Sequence, residues 1–485
     1  MSMSMSTETA FDSYPYRHRL SDVLSWEPLD IDIGATMAQA AAAMASRNVG
    51  SILVQDGNGT HVGILTERDI MRRIAMGDDG GSAVRNVMSS PVESLPADAL
   101  VYKALGRMER LGIRHLAVTD PDGRTIGVVS LRTILKTRNT AAFALGDAIE
   151  SAPDSAAIAA ARARLPALAG ALLQDGAGAA IVAGAISAAM RDSTERAGML
   201  ARESMERAGL GPPPVPFALL VLGSGGRGES LLAPDQDNAV IYDGTPAHDG
   251  WFAEWGARLT DILDAAGIPY CSGGVMASNP LWRGTPDDWR RRVGEWIARG
   301  QGESLLNVDI FFDFAPVLGD AGLAAALRRD AIAAAGRETV FLGNLVQHIG
   351  AFRPPLAWDW FGLAGGFQLQ DGRVDLKLGG TLPLVSAARI LALRHGIEAT
   401  STFERFRKLR EGKLISAGDA AAVAEALEAF MAAILRQQLA DIAAGIAPSS
   451  KIDPSLLDRR DRRSLRAHLA MVDIIQPMVE GAVGR

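Results

Sequence analysis

The sequence predicts an α+β protein with several domains, and three features of its 485 residues indicate this. A pattern of helix and strand occurs twice within residues 22–138. A glycine-rich turn between two strand-like runs follows at residues 217–243, and the chain after residue 337 has helical periodicity with little strand pattern. A chain of this length is enough for about three domains.

The order of these patterns gives the predicted domain organisation. We expect a flexible N-terminus, a repeat pair, a helical connector, a mixed sheet with helices, and a helical C-terminal domain. Their expected bounds are residues 1–20, 21–140, 150–212, 216–335 and 337–482, in that order. The run Gly211-Pro212-Pro213-Pro214 marks the boundary between the connector and the mixed-sheet domain.

Composition excludes several classes of function. Apolar residues make up 48% of the chain and charged residues 22%, which is ordinary for a globular protein. The net charge of −7 and the pI near 5.6 argue against a general nucleic-acid binder. The single cysteine, Cys271, excludes an internal disulfide framework and a cysteine-based zinc site, and is predicted to be a reduced structural thiol.

Two segments bear on localisation. Residues 1–16 are polar and lack the apolar core of a signal peptide. The alanine-rich stretch Leu165–Met190 is interrupted by Gln174 and Asp175, and neither flank reaches 18 apolar residues. We therefore expect paired helices outside a membrane, the first starting at the Asp154-Ser155 cap signal, and a cytoplasmic protein without membrane partners.

The N-terminal repeat has two copies offset by 64 positions, so that Met44 matches Met108 and Gly63 matches Gly127. Each copy has the pattern of a helix, a short strand, an Asp/Gly turn, a second short strand and a second helix. One copy has little core of its own, so we expect the two to close around each other and to leave clefts between them.

The repeat resembles a CBS domain, and two copies resemble the usual CBS pair. In that family a Gly-Ile-x-Thr-x-x-Asp element binds the ribose and phosphates of an adenine nucleotide. The first copy matches it with Gly63, Ile64, Thr66 and Asp69, whereas the second copy has Ser130 and Thr133 at the last two places. The resemblance therefore implies an adenine nucleotide effector at the first copy and a homodimer formed through the pair, with a purely dimerising module as the alternative.

The glycine-rich turn is Gly223-Ser224-Gly225-Gly226, which follows the apolar run 217–222. A strand-like run after it carries Asp235 and Asp237, and residues two apart in a strand point to one face. Mg²⁺ typically binds one or two carboxylates together with substrate phosphates, and a glycine-rich turn with free N–H groups suits a triphosphate. The stretch therefore predicts a site for nucleotidyl transfer, with an ordinary solvated turn as the alternative.

This stretch resembles the nucleotidyltransferase superfamily, whose hallmark is Gly-Ser followed by Asp-x-Asp. The form found here, Gly-Ser-Gly-Gly-Arg-Gly-Glu, is most similar to PII-protein uridylyltransferases and to bacterial relatives that combine a CBS pair with a helical C-terminal domain. The resemblance implies that Gly223 and Ser224 close on the phosphates of a nucleoside triphosphate, with Arg227 adding positive charge. It also implies that Asp235 and Asp237 hold Mg²⁺.

Nucleotidyl transfer of this type usually employs a third carboxylate on a neighbouring strand. The candidate strand is the run 308–314, where alternation places Asp309, Phe311 and Asp313 on one face. We choose Asp313 as the third catalytic and metal-binding carboxylate, because it lies in the family-like Phe-Phe-Asp-Phe, and keep Asp309 as the alternative. Farther on, Lys377 is a candidate to reach the triphosphate from the helical domain, with a surface turn as the alternative.

These residues together predict a Mg²⁺-dependent nucleotidyltransferase that an adenine nucleotide regulates through the CBS pair. Resemblance to the uridylyltransferases suggests UTP as substrate and a protein as acceptor, and no nucleic acid is expected. We find neither the His-Asp phosphohydrolase domain nor the small regulatory repeats of those enzymes. A non-catalytic nucleotide sensor that regulates a partner protein, and a structural dimer, remain the alternative interpretations.

Overall fold

The computed structural model describes residues 19–24, 28–300, 308, 310–350, 352–358 and 364–483. The chain divides into two compact units, Met1–Phe143 and Ala144–Arg485. The α-helices of the described residues are α1 Leu20–Val23, α2 Met37–Arg47, α3 Glu67–Ala75, α4 Val101–Leu111, α5 Leu131–Glu150, α6 Ser155–Arg162, α7 Leu165–Gln174, α8 Ala179–Arg207, α9 Gly223–Arg227, α10 Asp249–Ala265, α11 Pro286–Arg299, α12 Ala321–Arg337, α13 Thr339–Ile349, α14 Leu382–Arg394, α15 Thr402–Glu411, α16 Ala417–Ala443, α17 Arg459–Ala470 and α18 Val472–Val483.

The strands of the described residues belong to three larger sheets and two small ribbons. Their bounds are β1 Asp30–Asp32, β2 Ser51–Gln55, β3 His61–Thr66, β4 Ser94–Pro96, β5 His115–Thr119, β6 Thr125–Ser130, β7 Phe217–Val221, β8 Asn238–Tyr242, β9 Arg283–Gly284, β10 Ala315–Gly319, β11 Leu356–Trp358, β12 Ala364–Phe367, β13 Val374–Asp375 and β14 Lys451–Ile452. A π-helix at Lys377–Thr381 precedes α14.

The first unit contains two copies of one fold, as the repeat predicts. In each copy a parallel pair is followed by an antiparallel hairpin, giving sheet orders β1-β2-β3 and β4-β5-β6. The Asp/Gly turns between the hairpin strands are held by the side chains of Asp56 and Asp120, which accept backbone N–H groups of the turn. The 64-residue offset thus matches secondary structure element by element.

The two copies complete each other's cores. Leu20 and Val23, at the start of the first copy, are buried in the apolar cluster of the second copy. Val84 and Val87, which lie 64 residues later at the start of the second copy, are buried in the cluster of the first. Each copy therefore lacks part of its core without the first segment of the other, which explains in physical terms why the unit occurs as a pair.

The second unit is built around a four-stranded mixed sheet of order β10-β7-β8-β9. The strands β7 and β8 are buried along their whole length, which explains their continuous apolar sequences. The helices α8, α10 and α12 pack against this sheet, and an aromatic cluster that includes Trp289 and Phe311 fills one side of it. The helices from α13 onwards form the C-terminal part, in which α14 is buried almost throughout.

The predicted connector has three helices rather than two. Asp154 caps α6 as expected, by accepting the N–H group of Ala157 at 2.9 Å. A turn at residues 163–164 then ends α6, and α7 begins with Pro166 in its first turn, a position where proline is compatible with a helix. The stretch Ser155–Gln174 is apolar and long enough in total to cross a membrane, and 22% of its apolar window is buried. One such stretch among the described residues is weak evidence for a span.

Candidate functional site

The site residues Asp235 and Asp237 lie just before β8, on an extended segment rather than within the strand itself. The N–H group of Leu222 donates to the carbonyl of Asp237 at 2.9 Å, which extends the pairing of β7 and β8 by one step. Ligand atoms of Asp235, Asp237 and Cys271 all lie within 4.8 Å of one another. The two carboxylates therefore converge as predicted, and a thiol joins them.

The electrostatics of this pair are unfavourable in the absence of a cation. Burial, followed by the charge of Asp235, raises the pKa of Asp237 to about 6. A hydrogen bond with Cys271 and the charges of Lys377 and Arg227 oppose this rise without cancelling it. Among the described residues, the positive charge near the pair is too small to balance both carboxylates. A bound divalent cation would supply the missing charge.

The glycine-rich turn is the short helix α9, which begins beside this pair. A side chain at Gly223, whose φ is +56°, would place its Cβ 2.7 Å from Oδ2 of Asp237. At Gly226 a Cβ would collide with the backbone carbonyl of Asp313. These two glycines therefore let the turn approach the carboxylates on one side and the β10 segment on the other, which a residue with a side chain does not allow.

A small cleft, whose space for water amounts to about 20 Å³, lies against α9 and the aspartate pair. Its lining includes Ser224, Asp235 and Asp237, together with apolar residues of α8 and α10. Arg191 of α8 donates to the carbonyls of Gly225 and Gly226 at 2.8 and 2.9 Å, so it satisfies the C-terminal end of α9. Sequence analysis missed Arg191, because an arginine on a long amphipathic helix carries no local signal for this contact.

Lys377 is exposed at the start of the π-helix, and it is near enough to Asp237 for its charge to lower the pKa of that carboxyl. The N–H groups of Lys377 and Leu378 both donate to Oδ1 of Asp375, at 2.9 and 3.0 Å, which fixes the backbone of this turn. Lys377 therefore acts on the aspartate pair through its charge, and its contact with a triphosphate stays a prediction.

The predicted strand at residues 308–314 is wrong. Residues 308, 310 and 311 are helical, residues 312–313 form a turn, and β10 begins only at Ala315. Phe311, which alternation placed beside the acids, is fully buried in the aromatic cluster. The burial of three closely spaced phenylalanines therefore outweighs the alternation, and Asp309, the alternative carboxylate, lies outside the described residues.

Asp313 is fully buried and forms ion pairs with three arginines. Its contacts are to Arg227 at 2.8 Å, Arg389 at 2.6 Å and Arg405 at 2.8 Å; we call these four residues the Asp313 cluster. Burial favours the neutral acid, but Arg389, Arg405 and Arg227 together hold the pKa of Asp313 far below its usual range. Both oxygens are occupied, so the structure does not place Asp313 with the aspartate pair as a third metal ligand.

Arg227 likewise differs from its predicted role. Its Nε donates to Glu229 at 2.7 Å and its Nη1 donates to Asp313 at 2.8 Å, so its donors are directed at buried carboxylates. The resemblance placed Arg227 on the phosphates of a nucleotide, but its two buried acidic partners account for its position here. Its contribution to the aspartate pair is a charge that lowers the pKa of Asp237 from a distance.

The predicted effector residues of the first repeat lie at the junction of β3 and α3. Thr66 caps α3, because its Oγ1 accepts the N–H group of Asp69, and the Asp69 carboxylate accepts the N–H and hydroxyl of Thr66 at 3.0 and 2.7 Å. In the second repeat Ser130 and Thr133 form the equivalent cap. Thr66 and Asp69 therefore have a structural role that is independent of any ligand.

The surroundings of Thr66 and Asp69 face the other repeat. Charges of Glu67 and Asp69 act on His115 of the second copy, although burial dominates and lowers the pKa of that histidine. At Gly63 a Cβ would collide with the side chain of Met88, and Ile64 pairs by backbone hydrogen bonds with Ser89. Gly63 and Ile64 thus lie where the segment between the repeats crosses β3, and Thr66 and Asp69 lie at the start of α3 beyond it.

Models of three protein families match separate parts of this chain. The CBS domain matches residues 20–76 and 84–139. The N-terminal unit is a CBS pair. The family described as "Putative nucleotidyltransferase DUF294" matches residues 163–303, and the family described as "Putative nucleotidyltransferase substrate binding domain" matches residues 339–483. The second unit is therefore a DUF294 nucleotidyltransferase-type domain followed by its C-terminal companion.

The similar proteins match this chain over about the length of one CBS pair. An uncharacterised 17.7 kDa protein of Acidianus ambivalens is 33% identical over 118 residues, which are 24% of this chain and 71% of that protein. The CBS domain-containing protein YhcV of Bacillus subtilis is 32% identical over 113 residues, 23% of this chain and 79% of YhcV. A CBS domain protein from Pyrobaculum aerophilum, solved with AMP, is 28% identical and covers 24% of this chain and 89% of its own, with a TM-score of 0.23.

These findings confirm the predicted fold class, namely an α+β chain with a CBS pair, a nucleotidyltransferase-type sheet domain and a helical C-terminal domain. The DUF294 match begins at residue 163 and so includes α7 and α8 of the predicted connector. This agrees with the contacts of α8, since the indole N–H group of Trp255 donates to Gly198 at 3.0 Å and the N–H of Ser230 donates to Ser187 at 2.7 Å. The long helix is part of the domain that carries the site.

Proposed function

We propose that this chain is a Mg²⁺-dependent nucleotidyltransferase whose site is formed by Asp235 and Asp237 beside α9. The observation that carries the proposal is the convergence of the two carboxylates at the opening of a cleft lined by the Gly-Ser turn. Mg²⁺ is bound in proteins by one or two carboxylates together with substrate phosphates, and this donor set fits it. When bound, the cation neutralises charge on the triphosphate and on the departing pyrophosphate.

The residues of the chain supply binding and orientation. Asp235 and Asp237 would hold the cation as carboxylates. Because burial and the charge of Asp235 raise the pKa of Asp237 to about 6, cation binding below that pH displaces its proton. The first N–H groups of a helix have no intrahelical partner, so those of Gly223 and Ser224 are available for phosphate oxygens. Lys377, from the C-terminal domain, adds a positive charge. The oxygen of an acceptor hydroxyl would then attack the α-phosphorus, its proton would pass to solvent, and the bond to pyrophosphate would break.

The acceptor and the nucleotide follow from resemblance rather than from geometry. The Gly-Ser-Gly-Gly-Arg-Gly-Glu sequence is similar to that of the PII-protein uridylyltransferases, which favours UTP and a protein hydroxyl in a cytoplasmic setting. The CBS pair would bind an adenine nucleotide at Gly63, Ile64, Thr66 and Asp69 and would join two chains. Its role in this proposal is to make transfer dependent on that effector.

A second candidate function is a non-catalytic nucleotide sensor, and the Asp313 cluster favours it. The third carboxylate expected from the chemistry is bound by three arginines, which leaves the aspartate pair as the acids at the cleft among the described residues. Such a site would still bind a nucleotide with its cation, and the C-terminal domain that provides Lys377 would transmit the change to a partner protein.

The test is a labelling assay with the full chain. Each nucleoside triphosphate, labelled at the α-phosphate, is incubated with the protein, Mg²⁺ and cell extract, with and without AMP, ADP or ATP as effector. We expect transferred label for wild type and none for Asp235→Asn or Asp237→Asn. The control is Asp243→Asn, which changes an exposed acid at the opposite end of β8.

Equilibrium binding of the Mg²⁺–nucleotide complex to the same proteins separates the two candidates. Binding that depends on Asp235 and Asp237 without any transfer would support the sensor. If neither variant differs from Asp243→Asn in binding or transfer, both candidates are wrong. Lys377→Ala should weaken triphosphate binding by roughly ten- to a hundredfold, the effect of one lost charged hydrogen bond, whereas monophosphate binding should change much less.

A further inference from the structure

The thiol of Cys271 lies within the group of ligand atoms formed by Asp235 and Asp237. It is buried, with 9% of its surface exposed, and burial together with the charge of Asp237 raises the pKa of the thiol to about 11, so Cys271 is protonated until a cation binds. Cys271 is the single cysteine of the chain. The sequence predicted a structural thiol. A cysteine of an apolar core has apolar neighbours, whereas Cys271 lies beside two carboxylates that can bind a metal together with it.

Backbone hydrogen bonds fix this approach. The N–H group of Gln236 donates to the carbonyl of Pro269 at 3.0 Å, and the N–H group of Asn238 donates to Val275 at 3.0 Å. The donors Gln236 and Asn238 flank Asp237. The acceptors Pro269 and Val275 lie before and after Cys271. The pairing of the two segments therefore holds Cys271 beside Asp237.

A buried side-chain oxygen in the same cleft also points to a ligand. Gln236 lines it and is 2% exposed. Its Nε2 donates to the carbonyls of Thr260 and Ile268, at 3.0 and 2.9 Å, whereas its Oε1 has no hydrogen-bond partner among the described residues. Buried side-chain acceptors are nearly always satisfied, so this oxygen indicates that water or a hydrated ion completes the cleft.

We propose that Cys271 is the third protein donor of this metal site, which makes it a mixed site of two carboxylates and one thiolate. The inference rests on the proposed metal role of Asp235 and Asp237. On binding, the S–H bond breaks, its proton passes to solvent, and a metal–sulfur bond forms without any change of oxidation state. Thiolate ligands favour softer ions such as Zn²⁺, whereas carboxylate and water suit Mg²⁺ and Mn²⁺. The site therefore binds Co²⁺, Zn²⁺ and Cd²⁺ more tightly, relative to Mg²⁺, than an all-oxygen site would.

The test is a titration of the full-length protein with Co²⁺ under anaerobic, thiol-free conditions. We expect a sulfur-to-cobalt charge-transfer band in the near ultraviolet, which the single cysteine assigns to Cys271 without ambiguity. Asp237→Asn and Cys271→Ser should both abolish this band, and Asp243→Asn should retain it. In Cys271→Ser the preference for Co²⁺ over Mg²⁺, measured by competition, should fall by at least roughly tenfold, since a hydroxyl replaces the soft donor.

A second measurement needs no Cys271 variant. Cd²⁺ should slow alkylation of Cys271 in the wild-type protein by at least about tenfold, and it should not do so in Asp237→Asn. Co²⁺ that binds in competition with Mg²⁺ but gives no charge-transfer band would overturn the role of Cys271 and leave the carboxylate site intact. If Asp235→Asn and Asp237→Asn bind Mg²⁺, Co²⁺ and nucleotide like wild type, the proposed function fails together with this inference.

Discussion

Glu229, at the end of the glycine-rich sequence, accepts two hydrogen bonds from Thr402, at the start of α15. The N–H group of Thr402 donates to Oε1 at 2.6 Å, and its hydroxyl donates to Oε2 at 3.0 Å. An acid of the nucleotidyltransferase-type domain thus caps a helix of the C-terminal domain 173 residues later, where a negative charge complements the helix dipole. Together with the Asp313 cluster, this contact ties α9 to the domain that provides Lys377.

Replacing Glu229 should loosen this connection. In Glu229→Ala the first turn of α15 loses its capping acceptor and Arg227 loses one partner, so we expect a destabilisation of about 1–3 kcal/mol. Hydrogen exchange at the first amides of α15 should become faster, and denaturant unfolding gives the free energy. The control is Glu404→Ala in the same turn, because Glu404 pairs at the surface with Arg407, and exposed ion pairs contribute little to stability. Equal effects of the two variants would contradict the assigned role of Glu229.

Asp313→Asn should be strongly destabilising, because it leaves three guanidinium groups without the negative charge that they share and turns an amide NH2 toward them. Removing one partner of a buried ion pair costs about 3–5 kcal/mol, whereas loss of a metal ligand in the absence of metal costs little. Denaturant unfolding of Asp313→Asn, compared with the exposed-acid variant Asp243→Asn, distinguishes these roles. A stability within about 0.5 kcal/mol of wild type, the range of an ordinary surface substitution, would show that the cluster does not hold the fold together.

The pH dependence of this variant follows from linkage. The folded-state pKa of Asp313 is depressed, so its stabilising contribution is complete above the unfolded-state value of about 3.9 and is lost as pH falls through the folded-state value. The difference between wild type and Asp313→Asn should therefore be constant from neutral pH down to about pH 5, and should shrink only in stronger acid. Chemical denaturation at a series of pH values measures it.

Asp237 should have the opposite effect. Its folded-state pKa is raised to about 6, so the folded state binds a proton more tightly than the unfolded state and loses stability as pH rises from about 4 to 6. Without divalent cations, Asp237→Asn should be more stable than wild type by about 1–3 kcal/mol at pH 8 and nearly equal at pH 4. Adding Mg²⁺ with nucleotide should stabilise wild type and not the variant. A variant that is less stable at pH 8 without metal would contradict the unfavourable pairing of the two carboxylates.

Local sequence was sufficient for the aspartate pair and insufficient for the third carboxylate. Gly223 and Asp237 meet because β7 and β8 are adjacent antiparallel strands, and such a hairpin is visible in sequence as two apolar runs around a turn. The position of Asp313 depends on Arg389 and Arg405, which are 76 and 92 residues away (389 − 313 and 405 − 313) and carry no local signal. The adjacent residues Phe311 and Phe312 argue against the predicted strand. Neighbours in a strand point to opposite faces, so one of the two would lie beside the acids, whereas both are buried.

The N-terminal repeat was predicted more completely, because both copies carry the same pattern in one chain. The exchange of core residues, with Leu20 in the second copy and Val84 in the first, was expected only as mutual closure. The capping role of Thr66 was not predicted, although Thr-x-x-Asp before a helix is a recognisable cap signal. A residue assigned to a ligand can therefore also be required by its helix, and variants must separate the two roles.

The repeat provides the variant that separates them. Thr66→Ala removes the cap of α3 and one group of the proposed adenine nucleotide site, whereas Ser130→Ala removes the matching cap of α5 in the second copy. Each should lower stability by about 1 kcal/mol, the usual cost of losing an N-cap. Thr66→Ala should in addition weaken adenine nucleotide binding to the full chain by roughly ten- to a hundredfold, measured by calorimetry, since a hydrogen bond to a charged or polar ligand group is lost. Equal weakening by both variants would indicate that nucleotide binding responds to the stability of the pair, and no binding of AMP, ADP or ATP to wild type would leave dimerisation as the function of the CBS pair.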